Sequence, residues 1–181
     1  MSAEWRMSLA TVKDYIQVLK PGPSLLLTFI GVCSAIIAGK GYPPWDLLLL
    51  TGIAILMASA GANGLTNYLD RDIDARMKRT RNRALPAKRI DPPQKVLPVV
   101  TGLIIAGMVL AWRLHPLAFA ADLMGTLAAT FRRKQATCVF PQGIFASWSP
   151  VLMGWLAIKP AFSWEIVLLC VLIGVWLPLH V

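Results

Sequence analysis

Six apolar runs, residues 23–39, 45–69, 96–112, 114–131, 141–158 and 163–181, constrain this chain more than any other feature of it. Each lies near the roughly 17–25 residues that carry an α-helix across a bilayer. Inside lipid every backbone N–H and C=O must find a partner within the protein, which leaves helices and closed barrels as the spanning forms, and apolar runs of this length select helices. The expected fold is all-α, a polytopic transmembrane helical bundle forming one domain over 1–181. Composition agrees: 15% of residues are charged, against about 25% in soluble domains. The fourth run is the least regular, with Pro116 in its first turn and the ionisable Asp122 near its middle. An ionisable group at membrane depth carries a functional or paired role by default.

The first run reads as a span and not as a cleaved leader, because Glu4, Asp14 and Lys20 precede it. Residues 1–22 are expected to be a cytoplasmic interfacial segment. Trp5, Leu9, Val12, Ile16 and Leu19 fall on roughly one helical face, which suits a helix lying in the headgroup region. That leader carries no functional motif.

Lys and Arg orient the bundle, since positive residues collect in cytoplasmic loops. Residues 1–22 hold three of them, 70–95 hold nine and 132–140 hold three, whereas the alternate connections hold one each, Lys40, Arg113 and Lys159. This alternation puts the N-terminus and both charged loops in the cytoplasm, as for a multi-pass protein of the cell (inner) membrane. It also accounts for the net charge of +9 through topology and contact with anionic lipid of the bilayer, and no motif points to a nucleic-acid partner. Cys33, Cys138 and Cys170 are too dispersed for a disulfide framework or a zinc site.

The charge concentrates in "NYLDRDIDARMKRTRNRALP", residues 67–86. Asp70, Asp72 and Asp74 open like an EF-hand loop, but that loop needs Gly and then Glu where this chain has Ala75 and Arg81. If the second span continues in helical phase, Asp70 and Asp74 share a face and Asp72 points elsewhere. Two carboxylates at that spacing repel unless a cation lies between them. Mg2+ is a natural partner, because it combines one or two carboxylates with substrate phosphate oxygens. Arg76, Lys78, Arg79, Arg81 and Arg83 follow at once, and acid for a metal plus base for an anion describes a diphosphate site. On charge pattern alone, a solvated, self-paired surface accounts for these residues equally well. Position favours the site: the carboxylates end a helix of small residues, "ASAGANGLTN" (58–67), with Asn63, Thr66 and Asn67 just inside the membrane edge.

Together these residues resemble the first aspartate-rich motif of the UbiA-type intramembrane prenyltransferases, most closely their haem-farnesylating branch. "LKP" at 19–21, "DRDIDARMKRT" at 70–80, "RRK" at 132–134 and "SPVLMGW" at 149–155 fall in that family's order. The resemblance implies transfer of a farnesyl group from farnesyl diphosphate to a vinyl group of haem b. Asp70 and Asp74 would be catalytic and bind Mg2+ in a catalytic loop at 70–95. Arg79, Arg83, Arg132, Arg133, Asn67 and Thr66 would hold the diphosphate, and His180 would contact haem, although a histidine at a helix end is also an ordinary interfacial residue. Thr66 stands where the family has Asn, and Ala84 where it has Pro. The family's nine helices and second acidic motif imply that 1–181 matches about six helices and is C-terminally incomplete, so that it would not turn over alone. Alternatives are polyprenyl transfer to an aromatic quinone precursor, which the same motif would serve, and a non-enzymatic membrane transporter or assembly protein.

The charge asymmetry yields a direct test. A cysteine placed at residue 79 should react with impermeant maleimide only from the cytoplasmic side of sealed cells, and one placed at residue 40 or 159 only from outside. Labelling of residue 79 from outside alone would reverse the topology.

Overall fold

The computed structural model describes residues 12–130 and 142–180. Helix α1 occupies 12–18 within the described residues. It is followed by α2 (Pro21–Ala38), α3 (Trp45–Leu69), the short α4 (Arg71–Arg76), a 3-10 turn at Pro93–Val96, α5 (Leu97–Leu114), α6 (Pro116–Thr130), α7 (Gln142–Ile158) and α8 (Trp164–His180). Every described element is helical, and the six apolar runs correspond to α2, α3, α5, α6, α7 and α8. Prolines punctuate the starts: Pro21, Pro98 and Pro116 stand in first turns, where the missing N–H removes no helical hydrogen bond. Pro116 therefore starts its helix and does not interrupt it.

α2, α3 and α5, the last with its preceding 3-10 turn, are long and apolar enough to cross a membrane, while α6, α7 and α8 are shorter apolar helices. At 1.5 Å per residue α6 covers about 22 Å, less than the ~30 Å hydrocarbon thickness. α3 lies at the centre, packed against α2, α5, α6 and α7, and α8 rests on α7.

Large residues such as Trp155, Met153 and Ile55 are buried, but the contacts among α2, α3 and α5 run against the usual size rule for cores. Their inward faces carry small residues: Ser34, Ala35 and Ala38 on α2, Ala54, Ala58, Gly61 and Gly64 on α3, and Gly107 and Ala111 on α5. The large residues Leu25, Phe29, Leu49, Ile53, Ile105, Val109, Leu168 and Leu172 face outward. Lipid tails are as apolar as leucine, so helices associate in a membrane through close backbone approach and interhelical hydrogen bonds. Ser34 Oγ donates to the Val151 carbonyl at 2.8 Å, Asn63 Nδ2 to Ser24 Oγ at 3.0 Å, and Trp148 Nε1 to the Cys170 carbonyl at 2.7 Å. Exposed Tyr42, Trp45, Trp112, Phe162 and Trp164 gather at the helix ends opposite the acidic motif, as aromatic residues do at a membrane interface.

The closest of these approaches is α2 on α7, where a Cβ added to Gly154 would collide with the carbonyl oxygen of Gly31. Gly154→Val should therefore destabilise the detergent-extracted protein by about 1–3 kcal/mol or more. Gly102→Ala, where no atom lies within 4 Å of the added carbon, should be neutral or mildly stabilising. Thermal aggregation of the two variants checks the contrast, and equal melting would show that the α2–α7 contact is dispensable.

Candidate functional site

The acidic motif sits where α3 gives way to α4. Asp70 caps α3 at φ −89, ψ 0, its N–H bonded to the Thr66 carbonyl at 2.9 Å. The Asp74 N–H bonds in turn to the Asp70 carbonyl at 2.8 Å. The one-turn spacing thus survives the break between the helices, and the carboxylates separate as helical phase requires. The Asp72 side chain is 79% exposed, with Arg71 Nη2 at 3.7 Å, whereas Asp74 is 1% exposed.

A buried carboxylate needs a cation and hydrogen-bond donors around it. Arg83 Nη1 meets Asp74 Oδ2 at 3.1 Å, and Thr80 Oγ1 donates to the Asp74 carbonyl at 2.9 Å. To reach back, the chain turns tightly, with Thr80 N–H on the Met77 carbonyl and Arg83 N–H on the Thr80 carbonyl. A helical turn over 83–87 then closes as the Lys88 N–H bonds to the Leu85 carbonyl and the Arg89 N–H to the Ala84 carbonyl, with Lys88 left-handed at φ 54. This is a Schellman stop at a position that usually carries Gly. Ala84, Leu85 and Ile90 go under the loop into a cluster with Val18, Val96, Val100 and Ile104. The basic segment is a folded cap with its own small core.

Between α1, the end of α3 and this cap lies a crevice lined by Gln17, Val18, Asn67, Asp74, Arg83, Ala84, Leu85 and Pro86. Of the residues singled out in the sequence, it brings together Asn67, Asp74 and Arg83. Asp70 is half-buried on the preceding turn. Thr66 is 2% exposed, and its hydroxyl bonds the Asn63 carbonyl at 2.8 Å, away from the crevice. Asn67 Nδ2 donates to the Val18 carbonyl at 2.6 Å, so its amide nitrogen secures α1. Arg79 is exposed beyond the crevice. Arg132, Arg133, Cys138, Trp5, Leu9 and the His180 side chain lie outside the described residues.

The donor set suits Mg2+. Among the described residues no group of three or more metal-binding side chains converges. Asp70 and Asp74 would instead offer one or two hard oxygen ligands, the protein share that Mg2+ takes when substrate phosphate and water complete its shell. Asp122 stands apart in α6, 4% exposed, with Oδ2 lacking a hydrogen-bond partner among the described residues. The sequence reading expected a helix in the leader but missed its part in the crevice, which Gln17 and Val18 line although the leader carries no motif. The available signal was the apolar "ALP" at 84–86 and Ile90 inside a basic segment, which need a surface to cover them.

The Asp74–Arg83 pair predicts a separation of stability effects between neighbouring arginines. Arg83→Ala should destabilise the protein by about 1–3 kcal/mol, below the ~3–5 kcal/mol of a fully enclosed pair, because the Arg83 side chain is 35% exposed. Arg79→Ala should stay within about 0.5 kcal/mol of the parent. Thermal unfolding in detergent measures both.

Comparison with known proteins agrees with this architecture. The UbiA prenyltransferase family model matches residues 24–181. A protoheme IX farnesyltransferase of Desulforudis audaxviator is 33% identical over 177 residues, covering 94% of this chain and 56% of its own length. One of Thermofilum pendens is 35% identical over 177 residues, covering 94% and 62%. The chain thus spans somewhat over half the length of these curated relatives. Among solved structures, a digeranylgeranylglyceryl phosphate synthase superposes with a TM-score of 0.78 at 18% identity, covering 90% of this chain and 58% of that one. A UbiA homologue from Archaeoglobus fulgidus bound to GPP and Mg2+ superposes with a TM-score of 0.68 at 14% identity, covering 90% and 60%. At those identities the structures speak to the fold, and the matched family model speaks to descent: the chain belongs to the UbiA prenyltransferase family.

Proposed function

We propose that this protein transfers the farnesyl group of farnesyl diphosphate to a vinyl group of haem b, with water supplying the hydroxyl and diphosphate released, giving haem o at the cytoplasmic face of the cell (inner) membrane. The observation that carries the reading is the buried Asp74 with Arg83 against it, one helical turn after Asp70, at the polar end of an apolar bundle. The arrangement suits a substrate with a multiply charged anionic head and a lipid tail. Support for haem as acceptor comes from the relatives of Desulforudis audaxviator and Thermofilum pendens, both protoheme IX farnesyltransferases.

Asp70 and Asp74 would hold Mg2+, which when bound supplies Lewis-acid neutralisation of charge on the departing diphosphate. Arg83 would do part of the same work directly. Its guanidinium carries five N–H donors in a fixed fork, and Nη1 is the nitrogen on Asp74, so the fork can orient a phosphate while keeping the carboxylate neutralised. Arg79, Arg132 and Arg133 would add cationic charge around the diphosphate, as preplaced donors do where charge develops in a transition state. Asn67 would line the site while its amide anchors α1. His180 is proposed to contact the haem, since imidazole is a common iron ligand.

The test is to supply haem b and farnesyl diphosphate to membranes containing the intact protein and to separate the haems by chromatography. A more hydrophobic haem that depends on both substrates is the expected product. A prenylated aromatic acceptor with unmodified haem would overturn the choice of acceptor. Chelation of Mg2+ should stop the reaction, and Asp70→Asn and Asp74→Asn should each lower turnover by about a hundredfold or more, the scale of losing a preplaced charge at a reacting diphosphate. Asp72→Asn, on the outward face, should lose less than about fivefold. Equal losses at all three positions would contradict the facial separation of the carboxylates.

A further inference from the structure

Arg89 reaches across the cap to the leader. Its Nε donates to Asp14 Oδ1 at 2.8 Å, its Nη2 to Gln17 Oε1 at 2.5 Å, and its Nη1 to the Asn82 carbonyl at 2.9 Å. One guanidinium thereby joins α1 to the cap across more than 70 residues of sequence. Arg89 itself does not line the crevice, but Gln17 does, opposite Asp74 and Arg83.

Two elbows frame this clamp. Lys88 at φ 54 aims Arg89 at α1, and Lys20 at φ 49 turns the chain from α1 into α2. Side-chain-bearing residues occupy the left-handed region at a cost, and they persist there where the surroundings over-determine them. Additional contacts hold the same seam: Asn67 Nδ2 on the Val18 carbonyl at 2.6 Å, the Tyr15 hydroxyl on the Lys95 carbonyl at 3.5 Å, and Val18 buried at 3% exposure. The Arg89 side chain is 42% exposed and that of Asp14 16%. A pair this open to water adds little stability. What a three-point guanidinium fork adds is geometry, because the planar group fixes the direction of each partner.

We propose that Arg89 is a positioning residue. By clamping Asp14 and Gln17 to the cap it holds α1 as one wall of the crevice containing Asp74 and Arg83, and so sets the affinity of the site for the diphosphate head of its substrate. The leader is then part of the substrate site and not a membrane-surface appendage. The inference rests on the prenyl-diphosphate reading of that site.

The test combines kinetics with a distance measurement that needs no turnover. In the full chain, Arg89→Ala and Asp14→Ala should each raise KM for farnesyl diphosphate about tenfold, the order of one charge-assisted hydrogen bond. kcat and KM for haem should stay within about twofold. The double variant should be no worse than either single one, and Arg89→Lys, which keeps the charge but loses the fork, should fall between. General loosening of the fold would instead lower kcat and the folded fraction and leave KM alone, and that pattern overturns the proposal. Spin labels at residues 13 and 81, with Cys33, Cys138 and Cys170 replaced by Ser, should give a narrow distance distribution that Arg89→Ala broadens. An unchanged distribution in Arg89→Ala overturns the clamp whatever the chemistry. Broadening in a protein whose parent does not use farnesyl diphosphate keeps the clamp and removes the prenyl-transfer reading. Broadening with unchanged KM overturns the claim that the clamp sets affinity.

Discussion

A carboxylate with 1% exposure at the mouth of an apolar bundle is untenable without a cation, and Arg83 supplies one at 3.1 Å. Much of the local architecture follows from that pair. For Arg83 to reach Asp74 nine residues earlier, the chain must turn back at 77–83, and Thr80 bonding the Asp74 carbonyl makes the turn. The reversal directs Ala84 and Leu85 inward, so the cap needs an apolar floor, which Val96 and Val100 on the way into α5 and Val18 of α1 provide. The ion pair thus orders a segment whose composition alone would leave it solvated.

Below the cap the constraint is different. Lipid offers the bundle little hydrophobic reward for hiding large side chains, so although Trp155, Met153 and Ile55 are buried, the helices make their closest approaches through Gly31 and Gly154, Gly107 and Ala58, and Gly61 and Ile104. The polar side chains that this packing encloses mostly bond to nearby carbonyls or to each other, as Ser34, Thr51 and Asn63 do. Asp122 Oδ2 is the exception among the described membrane-depth residues. The result is an apolar support with most of its charge gathered at one end, an arrangement that would separate the head and tail of an amphipathic ligand in the same sense as the bilayer does.

The six apolar helices were legible in the sequence because a bilayer imposes length and hydropathy together; the structure moves their ends by only a few residues, and three of them, α2, α3 and α5, reach membrane-crossing length. The different fates of Asp72 and Asp74 were legible too, since helical phase decides which face each occupies. What could not be read was the leader. Asp14 and Arg89 lie 75 positions apart, no local period links them, and Val18 looks like one more lipid-facing valine until the loop folds over it. Thr66 and Asn67 show the same limit: polar residues near a membrane edge suggest a cavity, and in the structure Thr66 bonds backbone within its own helix while Asn67 both lines the crevice and ties down α1.

The central claim is that the end of this bundle recognises a diphosphate through a metal held by Asp70 and Asp74. Equilibrium binding of farnesyl diphosphate to the purified full chain in detergent, with Mg2+ present or chelated and with competitors added, tests it most directly. The account predicts that binding requires Mg2+, that inorganic pyrophosphate displaces the ligand and that farnesol does so poorly. Binding indifferent to chelation, with farnesol competing as well as pyrophosphate, would show recognition through the tail alone and contradict it.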